Sequence, residues 1–271
     1  FTLVKWLICS CASGLVIGLI GSLFHELLDA AAEIRHAHPW ILFLLPAAGI
    51  IIVLIYHLAG IKNSKGTNLV ITAIQSNEEV PVRMAPLIIA STILTHLCGG
   101  SAGREGAALQ VGGSLGNAFA KLFQFDDKDT RIMIMCGMSA CFAALFGTPV
   151  AAAIFSMEVI SVGIMYYAAI VPCTISALIA SSIASISGLA PTRFSISEIP
   201  AFTLPVALKM VILSIIFAVA SIVLCIVLHK TSHAFTKYID NQYARIITAA
   251  VMVIALRFLT GSSDYLGAGT D

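Results

Sequence analysis

The sequence predicts an all-α integral membrane protein, a bundle of tilted and broken helices, and three observations lead there. Apolar residues make up 59% of the chain and charged residues only 11%, with a mean hydropathy of +0.98. An ordinary soluble domain carries about a quarter charged residues. Several apolar runs reach or approach the roughly 20 residues that a helix needs to cross the hydrocarbon layer. The stretches between those runs are also apolar but are punctuated by Gly and Pro. Irregular backbone is tolerated at bilayer depth only where protein shields it, so repeated breaks of this kind mean a bundle.

The elements follow in chain order. The first run, about Leu3 to Arg35, is longer than a bilayer is thick, and its second half carries His25, Glu26, Asp29 and Glu33. That reads as a tilted helix emerging into water. No clear small-residue cleavage site interrupts it, so a retained helix is expected and not a signal peptide. The chain begins at Phe1, and residues are expected upstream of it. Arg35 to Pro39 forms a short loop, with Pro39 suited to a helix start. A span from Trp40 ends near Gly60; Lys62 and Lys65, against the single Arg35 of the preceding loop, favour a cytoplasmic place for the loop they occupy.

Thr67 to Ser76 is apolar but too short to span, so a half-helix or re-entrant segment is expected. After Asn77-Glu78-Glu79 comes a span from Ala85 to Cys98, then the run Gly99 to Gly106, then a helix from about Glu105 to Phe123. Asp127 is expected to cap a helix to Phe146. Gly147-Thr148-Pro149 breaks the chain before a helix bearing Ser156, Met157 and Glu158, and three long spans follow (Ala169 to Ile186, Val206 to Leu228, Ile246 to Leu259).

An internal echo predicts a repeat. Leu58-Ala59-Gly60 is followed by Gly66-Thr67-Asn68, and Leu259-Thr260-Gly261 is followed by Gly269-Thr270-Asp271. The expected organisation is a first repeat over residues 1–198 and the start of a second, incomplete one over 199–271.

Chemistry concentrates in Gly99 to Gly113, GGSAGREGAALQVGG. An ionisable side chain at bilayer depth costs at least about 2.5 kcal/mol on insertion scales, so adjacent Arg104 and Glu105 between apolar helices need a reason. The flanking glycines, Gly103 and Gly106 among them, let backbone amides turn inward, and Glu105 falls at a helix N-terminus, where unpaired N–H groups favour negative charge. A free anion and the Glu105 carboxylate would compete for the same donors, and protonating Glu105 would vacate the site. The bland alternative is a structural Arg104–Glu105 pair in an interfacial loop. Gln110, farther along the same helix, either lines the passage or joins an interhelical hydrogen bond. Glu158, in an apolar helix, is open to a structural or a proton-entry role.

GREGA followed by LQVGGSLG, and then FGTPVAAAIFSMEVI, closely resembles the CLC family of chloride channels and proton-coupled anion antiporters. The resemblance is strong from about Met84 to Gly163 and fits the order of spans throughout. It implies a CLC-type fold with two inverted halves, a multi-pass place in the cell membrane, a homodimer with one pore per subunit, and no cofactor or enzyme chemistry. It also implies that Glu105 is the gate, swinging in and out of the anion path.

The departures from the family pattern are specific. The loop that ordinarily reads G-S-G-I-P is here Gly66-Thr67-Asn68-Leu69-Val70. Ala107 replaces the usual proline after GREG. Val159 stands where the exchangers carry an internal proton-relay glutamate. These changes resemble the fluoride-exporting CLC-F branch. Gly66, Thr67 and Asn68, with Gly103, Arg104 and Gly106, are then the expected anion-binding residues, and inorganic fluoride or chloride and protons the expected partners. A chloride channel or exchanger of the same family, and a non-transporting fragment, are the alternatives.

Other patterns point to weaker readings. The net charge of +1 gives no basis for nucleic-acid binding. Cys9, Cys11, Cys98, Cys136, Cys141, Cys173 and Cys225 lack metal-site spacing and read as small buried hydrophobes. Gly99 to Gly103 and Gly112 to Gly116 both match G-x-S-x-G, which means an intramembrane hydrolase only on a strand-to-helix turn. His25 and Asp29 share a helical face as two metal ligands would, but no third ligand is evident. His96, a turn before the glycine-rich run, either modulates proton access or is an interior hydrogen-bonding histidine.

Overall fold

The computed structural model describes residues 2–61, 66–76, 80–160, 163–189 and 201–269, and all regular structure among them is helical. Lys62, Lys65, Asn77 to Glu79, the 198/199 boundary, Thr270 and Asp271 lie outside the described residues, and with them the loop-charge reading and half of the internal echo.

The helices are α1 (Thr2–Ala37), α2 (Leu45–Leu58), α3 (Asn68–Ser76), α4 (Met84–Leu97), α5 (Glu105–Leu122), α6 (Asp127–Phe146), α7 (Pro149–Glu158), α8 (Ile170–Ile186), α9 (Leu204–Tyr238) and α10 (Gln242–Thr260). Six helical stretches among the described residues are long and apolar enough to cross a bilayer, and the chain is a multi-pass membrane protein. The expected short element at Thr67 is the nine-residue α3.

Two local differences from expectation have physical causes. The span expected from Trp40 opens with a 3₁₀ stretch, Pro39–Leu44, before α2. Pro46 has no N–H to give to the carbonyl four residues back, so the α-helical ladder cannot run through it. The cap of α6 is Asp126 and not Asp127. Asp126 is extended at φ −68° and ψ 174°, and its carboxylate accepts from the Asp129 N–H at 2.8 Å, while Asp127 is already helical. Replacing Asp126 with Ala is expected to cost about 1 kcal/mol, read as a lower unfolding temperature in detergent; an unchanged temperature would show that the cap contributes nothing.

The chain divides into two compact units, Phe1–Thr192 with Ala250–Asp271, and Arg193–Ala249. In the first, the buried core is built from α1, α5, α6 and α8, with residues such as Ile17, Phe24, Val111, Met133 and Met138 fully enclosed. Hydrophobic transfer does not drive helices together inside lipid, so close van der Waals packing of small residues does. At the α5–α6 crossing, a Cβ on Gly112 would sit 2.8 Å from the Met138 Cα, and one on Gly116 would sit 2.9 Å from the Ile134 Cα. On α1, Gly18 lies against the α8 backbone, where a Cβ would come within 2.7 Å of the Ala180 Cα. Near the N-terminus of α1, Lys5 pairs with Asp129 and lies 4.2 Å from the centre of the Phe125 ring.

In the second unit, α9 runs 35 residues with none buried, and its side chains from Leu208 to Leu228 are all exposed. Cys225 is exposed on it, unlike buried Cys9, Cys98, Cys136, Cys141 and Cys173 and half-buried Cys11.

Candidate functional site

Two helix starts meet at the site. α5 begins at Glu105, and its first intrahelical bond runs from the Ala108 N–H to the Arg104 carbonyl at 2.9 Å. The amides of residues 105–107 therefore precede the helical ladder. α3 begins just after Gly66, whose positive φ of +57° turns the chain into the helix. Its first bonds run back to the carbonyls of Gly66 and Thr67, at 3.0 Å from Leu69 and 3.2 Å from Val70. Thr67 joins the two starts: a Cβ on Gly106 would lie only 2.9 Å from its hydroxyl oxygen. One turn deeper, Val70 packs so closely on α5 that a Cβ on Gly113 would fall 2.5 Å from its Cγ1. Two N-termini, each with a positive dipole end, thus converge within one hydroxyl's reach. Asn68 is exposed beside them.

Glu105 is exposed at this junction, and its carboxylate folds back over Gly103, occupying the place where a Cβ of that residue would go. Only glycine permits that conformation. Glu105 has no ion-pair or hydrogen-bond partner among the described residues. The expected alternative, an Arg104–Glu105 pair, is not what Arg104 does. Its guanidinium, 11% exposed, turns to α1, where Nη1 lies 3.9 Å from Asp29 Oδ1, and it rests 5.8 Å above the Phe146 ring. Arg104 therefore reaches the site through its backbone, not its side chain.

Gln110 is half-buried and donates from Nε2 to the Gly106 carbonyl at 3.0 Å, a bond within its own helix and not between helices. The loop before α5 is tied down on two sides: the Gly100 N–H donates to the Thr95 carbonyl at 2.8 Å, and the Ala102 N–H to the Gly267 carbonyl at 3.0 Å. Fixing this loop fixes where the amides of α5 point.

The remaining candidates sort by geometry. His25 and Asp29 do share a face of α1, with Nε2 3.3 Å from Oδ2. No group of three metal-ligating side chains occurs among the described residues. Ser114 is buried in α5 and donates to the Pro81 carbonyl at 2.8 Å, while Ser101 lies in an irregular loop, so neither serine sits on a strand-to-helix turn. His96 is buried at 4% exposure and donates from Nδ1 to the Thr92 carbonyl at 2.8 Å, the interior histidine's behaviour. Glu158 is exposed at the last residue of α7, and Val159 follows as its half-buried cap. What sequence reasoning missed is the contact of Asp29 with Arg104: the two lie 75 positions apart, and no spacing rule connects them.

Comparison with known proteins agrees with this architecture. The family model described as "Voltage gated chloride channel" matches residues 47–271. A chloride/fluoride channel protein of Pseudomonas syringae pv. tomato is 34% identical over 265 residues, which is 97% of this chain and 59% of that protein. An uncharacterised protein of Methanocaldococcus jannaschii is 25% identical over 179 residues, 65% of this chain and 43% of that one. The crystal structure of a CLC-type fluoride/proton antiporter is similar with a TM-score of 0.92 and 30% identity, covering 98% of this chain and 67% of that one. A slow cyanobacterial Cl⁻/H⁺ antiporter shares the fold at a TM-score of 0.77 and 18% identity, over 93% of this chain and 63% of its own. The chain thus spans only about three fifths of the first curated relative's length. The family match, covering most of the chain and both converging helix starts, settles the assignment: this chain belongs to the voltage gated chloride channel (CLC) family.

Proposed function

We propose that the protein exports fluoride across the membrane in exchange for protons, with Glu105 as the alternately protonated gate. The observation that carries this reading is the unpaired Glu105 carboxylate at the start of α5, folded back over Gly103, beside the Thr67 hydroxyl at Gly106. As a carboxylate it competes with an anion for the amides of Gly103, Arg104 and Gly106 and for the α3 start at Gly66, Thr67 and Asn68. Once protonated it no longer needs those donors, and the anion takes them. Fluoride is small, strongly hydrated and a strong hydrogen-bond acceptor, so it needs donors in place of its water. Thr67, Asn68 and the free amides are groups of that kind. Gln110 steadies the Gly106 carbonyl behind the site.

Among the described residues at this junction, Glu105 is the carboxylate that would carry the proton. Val159 offers none, and Glu158 is exposed at the end of α7. The names of the fluoride/proton antiporter and of the chloride/fluoride channel protein support the fluoride reading. The same reading holds residues 1–198 to be a first inverted repeat and 199–271 the start of a second. It places the assembled protein in the plasma membrane as a homodimer.

Proteoliposomes loaded with fluoride or chloride, with external pH recorded during efflux, test this. Fluoride efflux accompanied by proton uptake is expected. Chloride efflux of equal rate without proton movement would overturn the fluoride exchanger in favour of a chloride pathway. Flux absent from this chain, and regained by a longer polypeptide continuing past Asp271, would assign transport to the longer protein.

A further inference from the structure

Arg104 and Glu105 are chain neighbours of opposite charge, yet the guanidinium turns away from the carboxylate. We infer that Asp29 is a positioning residue for the gate: by occupying Arg104 it keeps Glu105 unpaired and free to exchange its proton. This rests on the gating role proposed above for Glu105.

The geometry makes a purely stabilising role for the pair a poor account. The separation is 3.9 Å and Asp29 is 56% exposed. Such exposed pairs contribute little to stability. Arg104 is nonetheless largely enclosed, stacked over Phe146, and a charge in that position needs a counter-ion. Asp29 supplies it, and it is itself held by His25 Nε2 at 3.3 Å.

Beside the pair lies a cavity of about 90 Å³ whose lining includes Asp29, Arg35, His96, Arg104, Gly267 and Ala268. Among these, His96 donates from Nδ1 to the Thr92 carbonyl. The charged and titratable groups around the pair are therefore His25, Asp29 and Arg35 from α1, His96 from α4, and Arg104 itself. Glu26 and Glu33 of α1 are exposed and do not line the cavity. Without the Asp29 charge, the carboxylate most readily available to Arg104 is that of the next residue, Glu105. A cation brought within about 4–6 Å of a carboxylate favours its ionised form, so the gate would hold its proton less readily.

The test is an infrared pH titration of the purified chain in lipid, following the protonated-carboxyl band that disappears in Glu105→Gln. Asp29→Asn is expected to move the protonation midpoint of that band down by about one pH unit, and Asp29→Glu to leave it in place. In an Arg104→Gln background the same Asp29→Asn change is expected to have no effect on the midpoint, which a merely structural role would not produce. Asp29→Ser gives the equivalent comparison if the asparagine variant does not fold. A midpoint unmoved by loss of the Asp29 charge, or a shift that persists without Arg104, would overturn the assignment. The titration reads Glu105 whether or not the chain transports. A shifted midpoint without Glu105-dependent flux counts against the gate alone, and normal flux with an unmoved midpoint counts against Asp29 alone.

Discussion

Gly137→Val is expected to destabilise the protein by about 3 kcal/mol, the upper end of what overpacking ordinarily costs. A Cβ at this position would strike the Gly112 carbonyl oxygen and come within 2.9 Å of both the Cα and the N of Gly116. All three obstacles are backbone, so no side-chain rotation relieves them, and α5 and α6 must move apart. That separation would expose the enclosed faces around Met133, Met138 and Val111 and shift the frame that holds the start of α5. The measurement is the unfolding temperature in detergent together with the fraction of monodisperse protein. Ala218→Val on α9, whose residues are all unburied, is the matched control and should change stability by no more than about 0.5 kcal/mol. Equal behaviour of the two variants would show that the glycine crossing is not a close contact.

Glu105→Gln is expected to abolish proton movement, by about 10²-fold or more, the scale on which a positioned proton-transfer group contributes. Glutamine keeps the shape of the side chain, but it cannot take up or release a proton. Because Glu105 is exposed and unpaired among the described residues, the substitution should change stability by no more than about 0.5 kcal/mol, read as a nearly unchanged unfolding temperature. Loss of proton flux with intact folding is therefore the signature of the gate. Wild-type proton flux in Glu105→Gln vesicles would sink the proposed role outright. The contrast with Gly137→Val is useful, since one variant removes chemistry and the other removes the frame.

Much of the helical order was legible in the chain because each signal is local. The length of α1, the break at Gly147 to Pro149 and the short α3 follow from hydropathy, from proline's missing N–H and from glycine's left-handed freedom. Most boundaries slipped by a residue or a turn, but α9 runs ten residues beyond the expected Leu228, to Tyr238. Two aspartates stand side by side at the start of α6, and composition cannot say which is extended and which helical; the backbone at Asp126 decides it. Likewise Pro46 converts the beginning of the second span to 3₁₀ geometry, a detail that an apolar run conceals.

What the sequence by itself determined is the solvent, the helices and the chemical character of one position. Apolar runs of bilayer length require lipid, and a glutamate after a glycine-rich stretch sits at a helix N-terminus whatever the rest of the chain does. Only the tertiary structure decided what surrounds Glu105. It set Thr67 against Gly106, drew Arg104 away to Asp29 and left the carboxylate over Gly103 with no partner among the described residues. The physical reason is separation along the chain. Helix formation and capping depend on residues within about a turn of one another, whereas these contacts join residues that become neighbours only when α1, α3 and α5 pack together.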